Sequence, residues 1–207
     1  MKKIVAVVTA CLLVGVSSAQ SFPTVLEWMS TNGLTKFTTE AEFRPDDTVT
    51  RGEISKFFTK FAEVQGLSKT RTEDECRFDD IENYDYTLVP TIVEACEYGL
   101  IKWHEGNYYP TNSLTEAEAL TVIVRALMGM QDETKDPRWS EYYDVGKWLG
   151  ILENEGVRDL NKNALRGKIG TRLYRAAQTD PNSAQDVGND ELKNILVEIF
   201  GEDFRTE

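Results

Sequence analysis

Histidine is almost absent from this chain. His104 is the only one in 207 residues, and there are three cysteines. No His/Cys metal cluster is built at a recognised ligand spacing from so few. His104 has no nucleophile at a recognisable spacing, and there is neither a Gly-x-Ser-x-Gly nor a phosphate-cradling glycine-rich loop. Carboxylate pairs carry no information in a chain with 35 acids, so a glycosidase pair is not legible in it. The expectation is a non-catalytic protein with no cofactor and no metal. Positive charge is also scarce: 23 Lys and Arg stand against 35 Asp and Glu, a net charge of −12. Such a field repels nucleic acid and anionic lipid at long range, which excludes a nucleic-acid partner. An anionic ligand needs a local basic pocket that works against the overall field.

Long apolar runs are missing except at the start. Lys2-Lys3, the apolar stretch Ile4 to Val16 and Ser17-Ser18-Ala19 read as a secretory signal peptide over residues 1–19. The run is short for a membrane anchor. Val8-Thr9-Ala10-Cys11 looks like a lipoprotein box, but the apolar core continues past Cys11. Cleavage after Ala19 removes Lys2, Lys3 and Cys11 and leaves 21 cations against 35 acids, a net charge of −14. The expectation is therefore export to the cell envelope, cell surface or periplasm, with no integral membrane span after cleavage. Cys76 and Cys96 remain; in an exported chain they are a candidate disulfide, the other reading being two buried thiols.

What is present is helical periodicity. Helices are expected over 22–32, 51–64, 87–98, 115–127, 139–149 and 165–177, with an amphipathic helix over 191–200. Thr50 with Glu53, and Thr115 with Glu118, are capping boxes. Leu34 to Thr48 reads as loop, and Leu100-Ile101 with Tyr108-Tyr109 as a small hairpin around Lys102 to Asn107. Asp80 and Asp144 read as caps or orienters of local backbone, and Trp28, Trp139 and Trp148 as core. Asp159-x-Asn161-x-Asn163 begins like a calcium loop, but Ala164 and Gly170 stand where glycine and an acid are needed.

The helices fall into a repeat. Gly33, Gly99 and Gly150 stop the first helix of each unit. The second helices start at Thr50, Thr115 and Leu165, which lie 17, 16 and 15 residues later. Phe43-Arg44-Pro45, Tyr108-Tyr109-Pro110 and Arg158-Asp159-Leu160 lie at matching places before them, and Phe22, Tyr86 and Trp139 open the units. Three units with matched internal spacing are a repeat array in which no unit buries its own face. The divisions are 20–65, 66–129 and a degenerate 130–178, followed by a linker and C-terminal helix over 179–207.

This pattern resembles the S-layer homology domain family, whose signature runs Gly-Leu-Ile, Gly-x-aromatic-x-Pro and Thr-Arg-Ala-Glu. The matching residues are Phe78, Asp80 and Ile81; Gly99-Leu100-Ile101 with Gly106, Tyr108 and Pro110; Phe43, Pro45 and Thr50-Arg51-Gly52-Glu53; and Trp139, Gly150-Ile151, Arg166 and Gly167. The resemblance implies a mainly α fold, three helix-loop-helix repeats in a pseudo-threefold bundle with short β pieces at most. It implies a secreted module binding cell-wall polysaccharide or a secondary cell-wall polymer. The other reading is an adaptor for other envelope proteins that has kept the fold and lost glycan binding. The motif arginine falls on Arg51 and Arg166, the implied contacts to an acidic sugar. Glu116 stands in that place in the second unit and removes a cation from its groove. Trp103, on a loop beside Lys102 and His104, is a third candidate: it stacks on a sugar ring or packs on its own unit.

Overall fold

The computed structural model describes residues 21–101, 106–128, 139–152 and 161–179. The signal-peptide segment, Trp103, His104, Asp159 and the 191–200 helix expected from sequence lie outside the described residues.

Among the described residues the fold is mainly α. The helices are α1 (Phe22–Thr31), α2 (Glu40–Phe43), α3 (Arg51–Val64), α4 (Val89–Glu97), α5 (Glu116–Met128), α6 (Trp139–Trp148) and α7 (Arg166–Gln178), with a 3-10 turn at Glu73–Cys76. None is long and apolar enough to cross a membrane. Local chemistry explains most boundaries. Thr50 Oγ1 accepts from Glu53 N at 3.2 Å while the Glu53 carboxylate accepts from Thr50 N at 2.9 Å. Thr115 and Glu118 repeat the arrangement at the start of α5. Each such cap contributes about 1 kcal/mol. Gly33, Gly99 and Gly150 follow α1, α4 and α6 in the left-handed region at φ 74°, 74° and 69°. The short α2 lies within the stretch read as loop: Thr39 caps it, and Arg44, itself left-handed, ends it.

Helix pairing runs between sequence units rather than within them. α4 packs on α3, α6 on α5, and α1 on α7. Each unit's first helix thus lies on the second helix of the unit before it, and α1 closes the circle on α7. The pre-helix segments close a second circle. Thr50 pairs with Ser113, Thr115 with Asn163 and Leu165 with Thr48, each as a single antiparallel bridge. The first amide groups of the second helices are satisfied there. Arg51 N donates to Asn112 O and Gly52 N to Pro110 O; Glu116 N donates to Lys162 O; Arg166 N donates to Asp47 O and Gly167 N to Pro45 O. This explains how α7 starts with no side-chain cap at Leu165. A helix end needs its free N–H groups bound, and carbonyls of a neighbouring turn serve.

The core threads through all of these elements. Phe43, Phe58, Phe61, Tyr108 and Tyr142 are its largest fully buried side chains. Trp28 and Trp148 are half-buried and pack against it, Trp28 edge-on to Tyr174 at 5.5 Å between centroids. Cys76 and Cys96 form a disulfide with Cα atoms 5.7 Å apart, tying the 3-10 turn to α4. The turn of the hairpin expected between Leu100-Ile101 and Tyr108-Tyr109 lies outside the described residues. Tyr108 N and Tyr109 N both donate to the Asp80 carboxylate, at 2.8 and 2.6 Å.

Candidate functional site

The two motif arginines reach across unit boundaries in the same way. Arg51 Nε donates to Tyr108 O at 2.8 Å, and Arg166 Nη1 donates to Phe43 O at 2.9 Å. Phe43 and Tyr108 are the matching buried aromatics of their units, so both guanidinium groups are held at the backbone of the neighbouring unit's turn. The residue after each aromatic, Arg44 or Tyr109, is forced into the left-handed region at φ 53° and 57°. Non-glycine residues adopt that conformation at a cost, and such strain gathers at sites.

Their surroundings then differ. Arg51 also pairs with the Glu118 carboxylate and lies 4.7 Å from the Tyr108 ring centroid. Its side chain is only 19 % exposed, and the Tyr108 hydroxyl donates back to Arg51 O at 2.7 Å. The phenol is pushed far above its ordinary pKa by burial, which outweighs the downward pull of the nearby guanidinium. Arg51 therefore works as a tie between α3 and the second unit.

Arg166 lines a groove of about 330 Å³. Lys36, Arg44 and Lys56 line the same groove, with Glu53 as the opposing acid and Phe37 and Phe57 as half-buried aromatic wall. Lys36 Nζ lies 5.5 Å from the Phe37 ring centroid. Four cations and one carboxylate line the groove; Arg44 also pairs with Asp47 at 3.2 Å, so Lys36, Lys56 and Arg166 carry its positive excess on a chain of net charge −12. Donors of this kind bind carboxylates through charge-assisted bonds of about 1.5–3 kcal/mol each.

The structure brings Arg166 to such a basin and places Arg51 at a different junction, in a salt bridge. Sequence reading missed Lys36 and Phe37, although the signal was there. Gly33-Leu34-Thr35-Lys36-Phe37 has the plan of Gly99-Leu100-Ile101-Lys102-Trp103, the stretch that singled out Trp103.

Glu116, the acid at the place of the motif arginine, pairs with Arg172 of α7, whose side chain is 4 % exposed.

Residues 16–54 match the model of the S-layer homology domain. The match covers the start of α3 and ends just past Arg51 and Gly52. No curated protein matches the chain. The domain match points to attachment at the cell surface through cell-wall polymers, the work of a binding module.

Proposed function

We propose that this chain, which carries an S-layer homology domain at residues 16–54, is an exported, non-catalytic wall-binding module of three units. Its ligand is an acidic polysaccharide or peptidoglycan-linked polymer, and it anchors or organises the cell envelope. The observation that carries this reading is the groove formed by Arg166, Lys36, Arg44 and Lys56, a cation-rich, aromatic-walled recess on an acidic chain. The guanidinium and ammonium groups take the sugar carboxylate, and Phe37 and Phe57 offer ring faces to the apolar face of a pyranose. The cyclic pairing of the segments at 48–50, 113–115 and 163–165 supports the division into three units.

A second reading, an envelope protein adaptor, is favoured by one observation. At the other two motif positions Arg51 and Glu116 are engaged inside the fold, by Glu118 and Arg172.

The test is sedimentation of the mature protein with purified cell walls. Wild type co-sediments, and Arg166→Ala with Lys56→Ala, which removes two groove cations, weakens binding by at least about tenfold. Arg51→Ala serves as the contrast. It lowers stability by about 1.5–3 kcal/mol in urea melts by leaving Glu118 Oε1 and Tyr108 O without the guanidinium donor, and it spares the affinity of the folded fraction. Absence of wall binding by wild type overturns the proposal. Equal binding by wild type and the Arg166/Lys56 variant removes the site.

A further inference from the structure

The Arg166 groove draws on all three units. Arg166 comes from the third, the residues between Leu34 and Phe57 from the first, and Leu88, at the start of α4, from the second. At about 330 Å³ it is at the lower end for a small-ligand pocket, with room for about one sugar ring and its carboxylate. The rest of a bound polymer lies on the surface around it, so the residues that border the groove decide what else is recognised.

Tyr86 stands two residues before Leu88, within about 7 Å along the backbone. Its side chain is 85 % exposed. The repeat explains how the ring comes to lie outside. Phe22 and Trp139 lie 11 residues before Gly33 and Gly150, whereas Tyr86 lies 13 before Gly99, and Leu88 holds the place at 11. In the first unit Phe22 packs against Phe43 with ring centroids 5.7 Å apart. In the second, Phe78 takes that part against Tyr108 at 5.5 Å, and Tyr84 lies over Gly52. The inner aromatic places are filled, and the Tyr86 ring faces solvent.

The backbone that carries it is fixed. The Asp85 carboxylate accepts from Thr87 N at 2.9 Å and from Thr87 Oγ1 at 2.7 Å, and Asp85 O accepts from Leu88 N and Val89 N at 2.9 and 3.1 Å. A ring on a segment held in this way loses little freedom when a ligand settles on it. Tyrosine offers a flat apolar face with a polar tip, which suits the apolar face and hydroxyl rim of a pyranose. Glu82 and Asp85 are exposed acids in the same segment, so like charge keeps a second carboxylate away and selects a neutral ring.

Resting on the wall-polymer reading above, we propose that Tyr86 is a further contact for that polymer: a platform on which a neutral sugar ring stacks while an acidic ring sits at Arg166. The ligand is then a stretch of polymer that is acidic at one ring and neutral at another, and a single acidic sugar binds more weakly than the stretch.

The test is calorimetric titration of the full mature chain with purified wall polysaccharide and with size-fractionated fragments of it from partial acid hydrolysis, down to single sugars. Tyr86→Ala keeps the wild-type melting temperature, because the ring it removes is exposed. It weakens binding of the polymer and the longer fragments by about threefold to tenfold and leaves single-sugar binding unchanged, and Tyr86→Trp restores the loss. Nitration of Tyr86 by tetranitromethane, read by peptide mass, slows when the polymer is bound and keeps its rate with single sugars. Unchanged affinity of Tyr86→Ala for every fragment, an equal loss for single sugar and polymer, or nitration indifferent to polymer overturns the inference; wild type binds in each of these cases, so the wall-polymer reading stands. Failure of wild type to bind the polymer overturns both.

Discussion

Tyr108 joins two units with both ends of one residue: its carbonyl accepts from Arg51 Nε, and its hydroxyl donates to the Arg51 carbonyl. A fully buried phenol whose pKa is raised by burial makes the fold sensitive to alkali. In the unfolded chain Tyr108 loses its proton near the ordinary tyrosine value of about 10; in the folded chain it keeps it. Its contribution is complete below that value and falls as pH rises above it, because only the unfolded state gains by ionising. Urea melts through the alkaline range should show wild-type stability declining with pH. Tyr108→Phe should flatten that decline and lower neutral stability by about 0.5–1.5 kcal/mol through the lost bond. A decline of equal slope in both proteins would refute the assignment. The same residue shows the limit of sequence reading at this scale. Arg51 and Arg166 were legible as equivalent residues, because helix caps and spacing locate them. Their fates were not, because the deciding partners, Glu118 and the Phe43 carbonyl, lie 67 and 123 residues away in sequence.

Helix starts decide the next scale, and the small residue at the second helical position decides how closely units approach. At Gly167 an added Cβ would lie 2.6 Å from Pro45 Cβ and 3.0 Å from Pro45 O, in a segment whose backbone is fixed by the Gly167 N to Pro45 O bond. At Gly52 the obstruction is the tip of Tyr84, a side chain that can rotate away. Gly167→Ala should therefore cost about 1–3 kcal/mol. Gly52→Ala should lie near neutral, because a gain of up to about 1 kcal/mol in helix propensity offsets the displacement of Tyr84. Thermal melts of the two variants compare them directly, and equal losses would show that the turn at Pro45 yields as readily as a side chain. The disulfide acts on another pair of elements, closing a chain segment of 20 residues between the 3-10 turn and α4. Cys96→Ala with Cys76→Ala should cost about 3 kcal/mol by the loop-entropy relation, and thiol titration of the unreduced mature protein should find no free thiol. The extents of α3 and α5 were legible because each has a complete capping box and an apolar stripe. α7 has no box, and only the repeat spacing located it. The four residues of α2 are too few to show a period. Which helices pair was not legible either: the chain packs each first helix on the second helix of the preceding unit, and nothing in the spacing says so.

Charge is a property of the whole molecule, and here the net charge of −12 opposes the proposed ligand. An acidic polymer approaching a chain of net charge −12 meets repulsion at long range and attraction at the Arg166 groove. Screening acts unequally on the two. The Debye length falls from about 30 Å at about 0.01 M salt to about 10 Å at about 0.1 M, which removes the repulsion between distant surface charges. Contacts of Arg166 and its neighbours with a bound carboxylate, made at hydrogen-bond distance in a half-buried recess, are screened far less. Association with a purified acidic wall polymer should therefore speed up over this range, and dissociation should change little. A wall-binding protein that relied on a basic surface would show the opposite trend. Stopped-flow or surface-based kinetics at a series of salt concentrations measure both rates. A rate of association that falls monotonically from the lowest salt upward would mean that the ligand senses a positive surface larger than this groove, and the site would have to be sought elsewhere on the molecule.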